Sequence, residues 1–156
     1  MKIFSRVLML LTCLVFVVVY VPLFLHGPII GGDWPYFFPE AIRSMRFFPP
    51  AWSPTHVNGL GGPIAVLFLD QYLYMSGWFS SVTHIPWEIT YKVFWFFLPI
   101  ILSFVGSMRL AGRVFGRSMG SQLLSGLLYS TNTYILMIIS GGQMGIALAY
   151  SVMPFV

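Results

Sequence analysis

Long apolar stretches follow one another along this chain and are separated by shorter polar segments. They predict membrane-spanning helices, because about 20 mostly apolar residues are needed to cross a bilayer. The first stretch covers residues 7–25, and the second covers about residues 88–108. The third covers about residues 121–139, and a fourth starts near residue 144 and runs to residue 156. We therefore expect an all-α, multispanning transmembrane protein with one membrane domain.

The apolar segment at residues 62–82 carries Asp70 at its centre. If this segment crossed the membrane, the arginine cluster at residues 109–117 would lie outside the cytoplasm, against the usual bias of basic residues. We therefore expect residues 62–82 to form an interfacial helix that lies on the membrane. Asp70 should then face water, the loop or a partner such as Arg43 or Arg46, because a carboxylate is costly to place in lipid.

The region between the first and second predicted spans, residues 26–86, is expected to form a loop on the outer side of the membrane. Besides residues 62–82, it contains a second predicted interfacial helix at about residues 39–48. Pro39 suits the first turn of that helix, and Pro49 and Pro50 should stop it.

Composition and charge point to the same environment. Hydrophobic residues make up 58% of the chain, charged residues make up 8%, and the mean hydropathy is +0.85, whereas soluble domains carry roughly 25% charged residues. The net charge of +4 comes from basic residues beside the apolar stretches, at Lys2, Arg6 and the 109–117 cluster. They do not form a stripe that would bind nucleic acid. We expect a multi-pass protein of the cell membrane with a cytoplasmic N-terminus and the lipid bilayer as its partner.

The two ends of the chain carry further expectations. A cleaved signal peptide is the alternative to a first spanning helix, but its apolar core would be roughly 7–15 residues and would end in a small-residue site. Here His26 follows Leu25, so an uncleaved signal anchor is favoured. The fourth apolar stretch stops without a polar tail, which predicts an N-terminal fragment of a larger protein.

The single cysteine, Cys13, excludes an intramolecular disulfide.

Asp33 follows the first predicted span within the outer loop. A carboxylate at the membrane surface can take a proton from an acceptor hydroxyl or help to hold a divalent cation. The alternative is structural, since aspartate is also a common turn and helix-capping residue.

Three stretches carry a resemblance to a known class of enzyme: GDWPYFFP at residues 32–39, NGLGGP at residues 58–63, and GGQMGIALAYSVMP at residues 141–154. Together with an acidic residue after the first span and a long outer loop, they resemble the GT-C class of membrane glycosyltransferases. The chain is most similar to the YfhO-like multispanning proteins within that class. The resemblance implies a sugar donor linked to polyprenyl phosphate.

The resemblance also implies roles for particular residues. Asp33 corresponds to the first-loop catalytic carboxylate, as a base or a ligand of a divalent cation, and Glu40 is the second candidate. GT-C enzymes often carry a paired acidic motif here, whereas Asp33 has Trp34 beside it. A fragment without the later outer loops of the class is expected to be inactive by itself.

A lipid-linked phosphate needs cationic or hydrogen-bonding groups at the membrane surface. Arg43, Arg46 and His56 are the candidates, and His84 and Lys92 lie in the same outer region. The alternative is that the two arginines bind phospholipid headgroups without specificity. His56 and His84 are too isolated to predict a metal site and are also typical of ordinary loop residues.

Two hypotheses for function follow from the sequence. The first is the N-terminal part of a GT-C-like glycosyltransferase that uses a polyprenyl-phosphate-linked sugar. The second is a non-enzymatic membrane protein, either a transporter or an assembly subunit. A transporter is expected to carry broken helices and polar residues near the bilayer midplane.

Overall fold

The computed structural model describes residues 2–25, 67–116 and 118–156. Nearly all of these residues are helical and none is in a strand, which confirms the expected all-α class for the described part of the chain. The predicted helix at residues 39–48 lies outside the described residues. We number the described helices α1 to α6: α1 Lys2–Leu25, α2 Leu67–Thr83, α3 Trp87–Val114, α4 Met119–Thr131, α5 Thr133–Ser140 and α6 Met144–Val152.

The described helices belong to two compact units, and the boundary between them lies between Phe94 and Trp95. One unit, called the α2 unit below, contains α2 and the beginning of α3; the other is called the α1 unit. The other contains α1, the remainder of α3, and the helices α4 to α6 with the short 3-10 turn Met153–Phe155 that follows them.

The α2 unit is a helical hairpin with a tight connection at residues 84–86. The Ser80 hydroxyl donates to the Ile85 carbonyl at 2.7 Å, which ties the end of α2 to the connection. His84 has a φ of 57°, a left-handed conformation that ends the helix. Pro86 precedes α3, and its carbonyl accepts hydrogen bonds from the N–H groups of Ile89 and Thr90, which start the next helix.

Helix α3 is interrupted by a π-helical segment, Lys92–Phe97. π-helical turns are rare, and they leave main-chain groups without their usual partners. In a π-helix each carbonyl accepts a hydrogen bond from the N–H five residues later. For the Phe94 carbonyl that residue is Pro99, which has no N–H to donate. The Tyr72 hydroxyl of α2 instead donates a hydrogen bond to the Phe94 carbonyl. The rings of Phe79 and Phe94 pack edge to face, with centroids 5.3 Å apart, so aromatic contacts join the two arms of the hairpin.

In the α1 unit, small residues allow α3 and α4 to approach closely. A Cβ atom added to Gly126 of α4 would lie 2.6 Å from the Phe104 ring and 2.9 Å from Met108 Cγ. The hydroxyls of Ser107 and Ser125 also bridge the two helices, each donating to the other residue's carbonyl at 3.3 and 3.5 Å. Small residues and serine hydroxyls are typical of helix contacts in membranes.

The turn between α3 and α4 depends on one glycine. The Phe115 N–H still bonds to the Ala111 carbonyl at 2.8 Å, and Gly116 then adopts a φ of 81°. This left-handed conformation costs little for glycine and terminates helices. The chain then reverses, and the next helix begins at Met119.

Two helices are long and apolar enough to cross a membrane: Trp87–Val114 with 28 residues, and Met119–Ser140 with 22 residues counted through α4 and α5. They contain the predicted spans at residues 88–108 and 121–139. Helix α1 has 24 residues, and α6 with its 3-10 turn lies within the predicted fourth stretch. The placement of each described helix relative to a membrane stays a prediction.

Candidate functional site

All five residues predicted to carry catalysis or phosphate binding lie outside the described residues: Asp33, Glu40, Arg43, Arg46 and His56. Their roles stay predictions. Within the described part of the chain, no group of three His, Cys, Asp or Glu residues could hold a metal ion. The divalent cation predicted from the sequence at Asp33 stays a prediction.

Three other residues named from the sequence are described. Asp70 lies in the first turn of α2. His84 is exposed in the hairpin connection, and Lys92 is partly buried at the start of the π-helical segment of α3.

The main polar feature of the described residues is a junction around Asn132, where the helix is broken between α4 and α5. Asn132 has an extended ψ of 160°, and its side-chain oxygen accepts a hydrogen bond from the Ile135 N–H at 3.1 Å. It is therefore the N-cap of α5. Its amide nitrogen donates to the Leu128 carbonyl at 3.2 Å and to the Tyr129 carbonyl at 2.8 Å.

Two tyrosines complete this junction. In an unbroken helix the carbonyls of Tyr129 and Ser130 would bond to N–H groups four residues later. Instead, the Tyr150 hydroxyl donates to the Tyr129 carbonyl at 2.9 Å, and the buried Tyr20 hydroxyl of α1 donates to the Ser130 carbonyl. Side chains from α1 and α6 therefore supply the donors that the break removes, as an apolar environment requires.

The rings of Tyr129 and Tyr150 stack on each other at the junction. Their centroids are 4.2 Å apart, and their planes differ by 13°. The Tyr129 hydroxyl donates to the Tyr150 carbonyl at 2.9 Å, so the two residues exchange hydroxyl-to-carbonyl bonds. No group at this junction is arranged to act as a nucleophile or a general base, and its polar atoms stabilise the break.

An open groove of about 470 Å³ runs along α4 from the α3–α4 turn to the junction. Three apolar side chains line it: Phe115, Leu124 and Leu128. Four polar side chains also line it: Ser121, Ser125, Tyr129 and Asn132. The groove is open to the surface of the unit and is not an enclosed cavity.

The turn at one end of this groove follows a basic helix end. Arg109 and Arg113 lie in the last two turns of α3 and are exposed. The guanidinium of Arg109 lies 5.8 Å from the centre of the Phe155 ring, within cation–π range. Arg113 lies two residues before Phe115 and extends from the negative end of the helix dipole, which favours a cation.

Neither the break nor the groove was foreseen from the sequence, because residues 121–139 were predicted as one uninterrupted span. The polar triplet Thr131-Asn132-Thr133 was the available signal, since asparagine is a preferred helix N-cap. The roles of Tyr20 and Tyr150 have no such local signal, because their partners are distant in the sequence.

No protein family matches the chain, and no curated protein or solved structure matches it significantly.

Proposed function

We propose that this chain is a multispanning membrane protein that forms the N-terminal part of a GT-C-like glycosyltransferase. The membrane part of the proposal is supported by the uncovered apolar surface of the two long helices. In the most apolar 18-residue stretch of Trp87–Val114 only 39% is buried, and in that of Met119–Ser140 only 33% is buried. Leu10, Leu14 and Val18 on α1 are also exposed. Continuous apolar surfaces of this kind need a lipid or protein environment.

The observation that carries the enzymatic proposal is the position of Asp33, which follows α1 closely in the sequence. If α1 spans the membrane, Asp33 lies near its outer surface, where a lipid-linked phosphate would also lie. The carboxylate would take the proton of an acceptor hydroxyl, whose oxygen attacks the sugar carbon as polyprenyl phosphate leaves. General-base catalysis of this kind contributes about 10²- to 10⁴-fold to rate.

The experiment is sugar transfer from labelled polyprenyl-phosphate donors, in membranes that contain the full-length natural protein. We expect Asp33→Asn to lower transfer by about 10²-fold or more. Glu88→Gln is the matched control, because Glu88 is an exposed carboxylate in the first turn of α3. Resistance to alkaline extraction establishes membrane insertion for each variant. Equal transfer by wild type and Asp33→Asn would contradict the catalytic role, and Glu40→Gln would then be tested.

One observation favours the second hypothesis, a transporter. The span Met119–Ser140 is broken at Asn132, and broken helices line the substrate sites of many transporters. However, the carbonyls of Leu128, Tyr129 and Ser130 already accept hydrogen bonds from side chains of this chain. A junction whose groups are satisfied in this way supports a structural break more than a substrate site. The transfer assay separates the two hypotheses, because a transporter would transfer no sugar.

A further inference from the structure

We propose that the groove along α4 holds an acyl chain of an anionic phospholipid whose headgroup phosphate lies at Arg113. This inference rests on the proposal that the chain is embedded in a membrane. It does not depend on glycosyltransferase activity, because the groove and Arg113 belong to a different part of the chain from Asp33.

The polar residues of the groove favour a hydrocarbon ligand, because their donors are already used. The Ser121 hydroxyl donates to the Ser118 carbonyl at 2.9 Å, and the Ser125 hydroxyl donates to the Ser107 carbonyl at 3.5 Å. Tyr129 and Asn132 donate to groups of the junction. A ligand that carries only acceptors would find no free donor among these four side chains, whereas a hydrocarbon chain leaves their hydrogen bonds intact.

The apolar residues provide the contact surface. The side chains of Phe115, Leu124 and Leu128 are 74%, 57% and 63% exposed. From residue 121 to residue 132 the groove follows α4 for roughly 16 Å, at 1.5 Å per residue. This length corresponds to about half of the hydrocarbon core of a bilayer of roughly 30 Å. An acyl chain that enters beside the α3–α4 turn would therefore reach the junction near the bilayer midplane.

The basic end of α3, two residues before the groove residue Phe115, favours an anionic headgroup. Arg113 lies in the last turn of α3, beside the turn that carries Phe115. Arg109, one turn earlier, lies over the Phe155 ring. The sequence from residue 95 to residue 156 contains no Asp or Glu, and α1 contains none either. No acidic residue of these segments can therefore neutralise Arg113, and a phosphate would do so.

The same observations weigh against a partner helix as the occupant. A helix in this groove would gain close backbone approach, but it would find no free side-chain donor there for an interhelical hydrogen bond. It would also leave Arg113 without an anionic group. A second copy of this chain would bring another cationic α3 end to the same surface, since its basic cluster would be identical.

The test uses the purified full chain in nanodiscs that contain equal amounts of phosphatidylglycerol and phosphatidylcholine. After extraction in mild detergent, native mass spectrometry counts the retained lipids. We expect retained phosphatidylglycerol to exceed phosphatidylcholine by about fivefold, since one basic residue near the membrane surface contributes about 1 kcal/mol. Arg113→Gln should remove this preference, and Arg113→Lys should keep it. Leu128→Trp should fill the groove and reduce the retention of both lipids to background.

Leu14→Trp is the matched control for the added tryptophan side chain. Leu14 is also exposed, at 57%, but it lies on α1 and does not line the groove. It should retain lipid as the wild type does. Equal retention of both lipids by the wild type, unchanged retention in Leu128→Trp, or a homodimer in place of bound lipid would each overturn the inference. A chain that stays in the membrane at alkaline pH yet retains no lipid contradicts only this inference. A chain that is extracted contradicts the membrane proposal as well.

Discussion

The side-chain amide of Asn132 donates a hydrogen bond to the hydroxyl of Tyr150 at 2.7 Å. Tyr150 in turn donates to the Tyr129 carbonyl at 2.9 Å. This relay connects α6 to the last turn of α4, and it fixes the position at which the helix is interrupted. The break is therefore held by specific donors from other parts of the same unit, and each of them can be removed by a single substitution.

Asn132→Ala should destabilise the α1 unit by about 1–2 kcal/mol, because it removes the N-cap of α5. The loss of the donors to Leu128, Tyr129 and Tyr150 adds to this effect. Asn132→Ser should retain part of the stability, since serine can still cap the Ile135 N–H. The free energy of unfolding in detergent micelles, followed by tryptophan fluorescence, measures both variants. Equal stabilities of the alanine and serine variants would show that the cap contributes little.

Tyr20→Phe should lower the free energy of unfolding by about 1–3 kcal/mol, because it leaves the carbonyl of Ser130 without its donor in a buried place. Tyr134→Phe is the control, since Tyr134 is 55% exposed. The same unfolding measurement applies to both variants. If the two substitutions had similar effects, the link between α1 and the end of α4 would not stabilise the unit.

Gly126→Ala should destabilise the packing of α3 against α4 by about 1–3 kcal/mol, because the new methyl group would overlap the Phe104 ring. Gly120→Ala tests the same change on the same helix without the overlap. The nearest heavy atom to its added Cβ is 3.8 Å away, so the higher helix propensity of alanine should stabilise it by up to about 1 kcal/mol. Opposite signs in thermal unfolding are expected, and two stabilising substitutions would exclude close packing at Gly126.

Stability at alkaline pH should depend on Tyr72. Burial raises the pKa of the Tyr72 phenol above its ordinary value of 10.0. The stability that this neutral phenol contributes is fully present below about pH 10 and is lost as the pH rises towards the folded-state pKa. Between about pH 10 and 12, the free energy of unfolding of the wild type should therefore fall more steeply than that of Tyr72→Phe. Parallel curves from denaturant titrations over this range would contradict the prediction.

The sequence predicted the features that depend on composition and local pattern. The all-α class follows from long apolar stretches without strand-like alternation, and the described helices confirm it. The two long apolar helices contain the predicted second and third spans. The positions of these helices could be predicted because helix formation in an apolar segment depends mainly on bonds within that segment. The predicted site residues from Asp33 to His56 lie outside the described residues, and their roles stay predictions.

The tertiary structure alone decided how the interruptions are satisfied. Tyr20 and Ser130 are 110 residues apart in the sequence, and Tyr129 and Tyr150 are 21 residues apart. No local pattern encodes such pairs, because a hydroxyl can satisfy a freed carbonyl only after packing has brought the helices together. By itself the sequence determined that the chain forms apolar helices and where its basic residues cluster. The fold decided that the helix breaks at Asn132. It also decided that the donors of the groove's polar side chains are used within the chain, which leaves Phe115, Leu124 and Leu128 as the main contact surface.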